Sequence, residues 1–268
     1  MKVSIFMAHL SELAAQKNCS LTAALREAKR AGIDYIEADY KTVVGREAEL
    51  KAALENIGLQ TGGLNAFFDF GHQAQPELIE SVLDTAEKLG AAHVMAVPGF
   101  VAPDEDREAV RGRLAEGLNA LCGAAVRRGV SVALEDFDAE NAPYGRMEEL
   151  NWMLRQAPGL GCCFDTGNFL FFGEDVLKAY DLVEKRIAHV HMKDIAYAPL
   201  RGETPKVAVT GKKLYPAPVG SGELPMAEIV RRLYERGYDG IYAIEHYGAG
   251  DQLLYMRRSA RWLKNIFR

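Results

Sequence analysis

One pattern constrains this chain more than any other: a short apolar run followed by a longer amphipathic stretch, repeated eight times. The apolar runs are KVSIFMA (2–8), YIEAD (35–39), QTGGLNAFF (60–68), HVMAVPG (93–99), SVALEDF (131–137), GCCFDTGN (161–168), IAHVHMKD (187–194) and IYAIEHYG (241–248). Short apolar runs bounded by polar or Gly residues read as strands. The intervening segments predict helices at about 20–32, 46–57, 76–89, 104–128, 146–157, 174–185, 225–236 and 251–266. Ser20 is placed to cap the first of these and Gly32 to end it, while Pro76 opens the third. Strands separated by helices pair in parallel, because antiparallel neighbours do not need crossovers of this length. Eight such units predict an α/β fold, a closed (β/α)8 TIM barrel, as one domain over residues 1–268. An open doubly wound sheet is the alternative. It would place a Gly-rich phosphate turn after the first strand, and MAHLSELAAQ contains no glycine.

Composition agrees. The 268 residues are 49% apolar, enough for one large core, and no Gly/Ser- or Pro-rich linker divides them. The net charge of -5 lacks the basic excess that neutralises phosphates, which argues against a nucleic-acid partner. No run approaches the roughly 18 apolar residues of a membrane span, and MKVSIFMAHL lacks the pattern of a signal peptide. The four cysteines Cys19, Cys122, Cys162 and Cys163 form no C-x-x-C pair. A reducing, cytoplasmic setting is expected.

In a barrel, functional groups gather at the carboxyl ends of the strands. Strand five ends in Glu135, strand six in Asp165, strand seven carries His191 and Lys193, and strand eight ends in Glu245. Taken singly, Glu135 or Glu245 reads as an ordinary rim carboxylate. Four such groups at matching heights on consecutive strands read as a site. Three converging carboxylates repel unless a cation or protons intervene. Oxygen ligands with one nitrogen suit one divalent metal ion, Mn²⁺ or Mg²⁺ first, with Co²⁺ and Zn²⁺ as alternatives.

VALEDF, CFDTGN, HVHMKD, PVGSGELP and AIEHYG, in this order, resemble the xylose-isomerase-like TIM-barrel family of sugar and sugar-phosphate isomerases, ketose 3-epimerases, hydroxypyruvate isomerases and inosose dehydratases. The resemblance implies a metal held by Glu135, Asp165, His191 and Glu245. It also implies that Glu135 and Glu245 act as an acid/base pair on opposite faces of a carbohydrate substrate. Two departures stand out. The family usually reads Asp-x-Gly-His after strand six, where the His meets substrate, and this chain has Asn168. Ketose epimerases tend to carry a further Glu and Arg at the positions held here by Asn141 and Tyr197, with Glu140 and Arg201 nearby.

Enolisation is the shared chemistry, and its outcome is epimerisation, aldose–ketose isomerisation or loss of a hydroxyl. Lys193 shares a strand face with His191 and is expected to stabilise an enolate oxygen or an anionic substituent, or to pair with a rim carboxylate such as Asp194. His189 lies deeper on that face and reads as a core residue. His9, Phe68 (from NAFFDF), Asn168 and Arg201 complete the expected substrate contacts, and His246 is within reach. Gly220 and Gly222 read as a turn into a helix more than a phosphate site. The long segment 195–219 is expected to be a loop acting as a lid or as a contact between subunits of a homo-oligomer. An apurinic-endonuclease reading fails for want of the extra histidines. A dehydratase or C-glycoside lyase, and a non-catalytic sugar-binding barrel, stand as alternatives.

Overall fold

A computed structural model describes residues 1–267. Every apolar run contributes a strand: β1 Lys2–Phe6, β2 Tyr35–Asp39, β3 Gln60–Phe67, β4 His93–Val97, β5 Ser131–Glu135, β6 Gly161–Asp165, β7 Ile187–Met192 and β8 Ile241–Ile244. Neighbours pair in parallel, and β8 returns to β1 from Lys2↔Ile241 to Ile5↔Ile244, so the sheet closes as a (β/α)8 barrel. Local signals act as their chemistry dictates. The Ser20 side chain accepts from the Ala23 N–H to start the helix Leu21–Ala31, and Gly32 ends it at φ 91°.

The main apolar core lies between the strands and the surrounding helices, with Val3, Ile5, Ile36, Leu64, Val94, Leu134, Phe164, Val190 and Ile244 buried there. Alternation along the strands sends the other face inward. Inside the barrel the apolar cluster is small, built on Met95, Val97, Ala133 and Cys163. Much of the interior is therefore left to polar side chains, which is what makes it a site.

Three elements differ from the sequence expectation. The first strand stops at Phe6, because Met7, His9, Leu10 and Leu13 bury at helical spacing in a helix Met7–Gln16. Strand six stops at Asp165, and Asn168–Phe172 forms a 3₁₀ turn. The segment 195–219 is no plain loop. Asp194–Ala196, Lys213–Ala217 and Lys206–Val207 form a small antiparallel sheet, pinned by Phe171, Phe172, Ile195, Ala208 and Leu214. Its strands are short and lysine-rich, and their stability comes from this packing and not from intrinsic propensity. Among the described residues, no helix is long and apolar enough to cross a membrane.

The turn PVGSGELP is closed from within. Asp194 Oδ2 accepts from the backbone N–H groups of Gly220, Ser221 and Gly222 at 2.8, 3.1 and 2.9 Å. The anion cradle thus holds the chain's own carboxylate. Asp194→Ala leaves these three donors, and the Ile195 N–H that donates to Oδ1 at 2.9 Å, without their acceptor, an expected cost of about 3 kcal/mol. A fall in Tm of roughly 6–12 °C by calorimetry is the expected reading.

Candidate metal centre and catalytic cavity

Glu135 and Asp165 are the last residues of β5 and β6, Glu245 follows β8, and His191 sits one residue before the end of β7. All four are buried, at 0–5% exposure. One ligand atom from each lies within 4.8 Å of the others. His191 Nδ1 touches Glu135 Oε1 and lies 3.3 Å from Glu245 Oε2. Asp165 Oδ1 accepts from the N–H groups of Gly167 and Asn168, each at 2.7 Å, which fixes the carboxylate. Its Oδ2 is buried with no hydrogen-bond partner. An orphaned carboxylate oxygen beside two further carboxylates and an imidazole is a donor set that fits a divalent cation.

The electrostatics are uneven. Burial pushes the Asp165 carboxyl well above its usual range, and the charges of Glu245 and Glu135 add to that against the pull of Lys193. Burial also raises Glu135, despite its contact with His191. Glu245 goes the other way. Burial would raise it, but the Lys193 ammonium and the His191 ring hold it well below the usual carboxylate range.

Lys193 is clamped. Its ammonium lies 2.9 Å from Glu245 Oε1 and 3.4 Å from Asp138 Oδ2, and it donates to Asn168 Oδ1 at 2.6 Å. The other end of the Asn168 amide donates to the Asp136 carbonyl at 2.7 Å. Asn168 is thus a brace between β5 and Lys193, using both ends of an amide. Gly167 has φ -110°, which any residue adopts. What requires glycine there is space, since a Cβ would stand 2.8 Å from Lys193 Cγ and 2.9 Å from the Lys193 carbonyl oxygen.

Over these groups lies a cavity of about 750 Å³, lined by Glu135, Asn168, Lys193 and Glu245 together with Lys41, Phe67, Asp138, Lys206 and Tyr247. Of the other residues expected to meet substrate, Phe68, Arg201 and His9 do not line it, whereas His246, read as within reach, does. Phe68 stacks on Phe70 with ring centroids 4.6 Å apart, and its neighbour Phe67 faces the cavity. Arg201 is exposed at a turn, where its N–H donates to Glu203 Oε2 at 2.8 Å, and Lys206 from the small sheet takes the basic position. His9 sits buried on its helix, with Nε2 accepting from the His246 N–H at 3.0 Å, and His246 lines the cavity instead. Asp138 joins Lys193 to Lys206, 2.7 Å from its Oδ1, and nothing in the local pattern of DFDAE signals that role.

A closed (β/α)8 barrel with an O,O,O,N donor set at the ends of β5 to β8 defines a narrow class of proteins. The family model for the xylose isomerase-like TIM barrel matches residues 25–266, and the chain belongs to that family. Among curated relatives it is 25% identical to the Escherichia coli K12 protein named "Putative L-ribulose-5-phosphate 3-epimerase SgbU", over 94% of this chain and 93% of the relative. Among solved structures, the probable 3-DHS dehydratase AsbF of Bacillus anthracis superposes with a TM-score of 0.76 at 18% identity, covering 99% of both chains. A xylose isomerase-like TIM barrel protein from Mycobacterium smegmatis, in complex with magnesium, gives 0.75 at 18% identity over 99% of this chain and 96% of that one. These two share the fold.

Proposed function

We propose that this chain is a divalent-metal-dependent sugar isomerase or epimerase that works by enolisation. Glu135, Asp165, His191 and Glu245 would hold the ion, and Glu135 and Glu245 would act as its acid/base pair. The observation that carries this reading is the convergence of four buried donor atoms with one carboxylate oxygen left unpartnered. A divalent ion bound there would polarise a substrate carbonyl and acidify the neighbouring C–H.

The chain's residues supply the proton transfers. Glu245, kept ionised by Lys193, removes the C–H proton. Glu135 delivers a solvent-derived proton from the other side, and the roles exchange in the reverse direction. The 2.6 Å bond from Asn168 keeps Lys193 beside the reacting oxygens, where it supports developing negative charge. Phe67 offers an apolar wall to a sugar ring, and Lys206 and Lys41 give the cavity cations suited to an anionic substituent.

The test is incubation of the metal-loaded protein with a panel of ketoses, sugar phosphates, keto-inositols and hydroxypyruvate in D₂O. Deuterium at the carbon beside the carbonyl supports enolisation, and the product separates epimer, isomer and dehydrated ketone. Full metal loading with no exchange on any substrate removes the reading. Within it, Asn168→Ala frees Lys193 and strands the Asp136 carbonyl. The expected loss is about 10- to 100-fold in kcat with a smaller change in KM, read by steady-state kinetics on the substrate found.

A further inference from the structure

A second set of polar groups enters the barrel below the centre described above. Glu37 is the third residue of β2, His93 the first of β4 and His189 the third of β7. All three are buried, and Glu37 Oε2, His93 Nε2 and His189 Nε2 each lack a hydrogen-bond partner. Glu37 Oε2 lies 3.6 Å from His93 Nε2 and 3.8 Å from His189 Nε2, and the set falls within 4.8 Å. Such separations are too long for hydrogen bonds. Buried polar atoms are almost always satisfied, so three orphans around one point mark a shared partner.

The spacing identifies that partner. Zn²⁺ binds imidazole nitrogen and carboxylate oxygen at about 2.0–2.2 Å, which puts tetrahedral ligand atoms about 3.4 Å apart. The two distances from Glu37 Oε2 exceed this by about 0.2–0.4 Å, and the His93 and His189 rings, with centroids 3.8 Å apart, would spread to take a common ion. Two imidazoles and one carboxylate suit zinc, whereas the oxygen-rich upper site suits harder ions. Glu37 Oε1 accepts from Ser4 Oγ at 2.5 Å, which holds the carboxylate in orientation. The backbone makes the room. The β2–β3 register shifts between Ile36 and Glu37 and sets Gly63 opposite Glu37. A Cβ on Gly63 would stand 2.2 Å from His93 Nε2 and 2.3 Å from Glu37 Oε2, in the space between them. His93 and His189 line, with Thr61, a cavity of about 450 Å³, while Glu37 lines the cavity of about 750 Å³ above it, so the three groups lie between the two.

We propose that Glu37, His93 and His189 form a second, structural zinc site that ties β2, β4 and β7 together inside the barrel. Equilibrium dialysis against Zn²⁺ alone, with metal measured by mass spectrometry, should give two ions per wild-type chain. The Asp165→Asn, Glu245→Gln double variant clears the upper site and should keep one ion, and added Zn²⁺ should still raise its Tm. Adding Glu37→Gln or, separately, His93→Asn to that background should remove both the ion and the Tm response. Cobalt in the double variant should give the strong visible absorption of a tetrahedral site, a reading that needs no change at Glu37 or His93. A double variant with no bound zinc and no cobalt band overturns the proposal, as does zinc binding there that survives both lower-site substitutions. Loss of the upper ion alone would count against the enolisation reading and leave this one standing.

Discussion

Glu245→Gln is expected to stop solvent-deuterium exchange and to lower kcat by about 10²–10⁴-fold, the range that loss of a general base produces. Size and shape are kept, and only the charge goes. Lys193 then loses its 2.9 Å anionic partner and His191 the oxygen at 3.3 Å. An amide cannot accept the substrate proton at neutral pH. Because Glu245 is one of four donors, some loss of metal affinity is also expected, so the measurement is made at saturating metal. Glu135→Gln should be comparably slow. Exchange in the Glu245 variant within tenfold of the wild-type rate would remove Glu245 from the chemistry. Circular dichroism and Tm separate this outcome from misfolding.

The barrel was legible because its cause is periodic. Each strand is a short apolar run, some helices carry a start or stop such as Ser20, Gly32 and Pro76, and eight strand–helix units leave little choice of closure. The convergence of Glu135, Asp165, His191 and Glu245 was legible for a related reason. Each follows apolar residues on a strand, so the topology alone brings them to one end. What escaped has a different physical origin. Whether Phe67 or Phe68 faces the cavity depends on where β3 leaves the sheet, and one residue reverses the face. The small sheet at 194–217 is made by contacts with Phe171 and Phe172, which lie elsewhere in the chain. The brace from Asn168 to Lys193 spans 25 positions, and the amide uses both of its ends there. Glu37, His93 and His189 are separated by long stretches and meet only across the barrel lumen. Singly, each looks like an isolated polar residue in a strand.

Removing the divalent ion should destabilise the protein more as pH rises. Two carboxyls set the sign. Asp165 and Glu135 hold their protons more tightly in the metal-free fold than in the unfolded chain, where carboxyls titrate at about 3.9–4.3. Their contribution to stability is therefore complete below those unfolded values and is lost as pH climbs through the raised folded values. Glu245 is depressed, so its contribution is present above the unfolded value and lost only as pH falls below it, which leaves it constant near neutrality. Metal binding needs these groups deprotonated, so the ion replaces the protons and its stabilisation grows with pH. Mn²⁺ at a thousand times its Kd adds about 4 kcal/mol, a difference in Tm of roughly 8–16 °C for a chain of this size. Calorimetry of chelator-treated and Mn²⁺-loaded protein between pH 5.5 and 8.5 should show that gap widening upward. Asp165→Asn removes one titrating donor and should flatten the trend. A gap that is constant or narrows toward alkaline pH would mean that the converging carboxylates are not the groups that hold the ion.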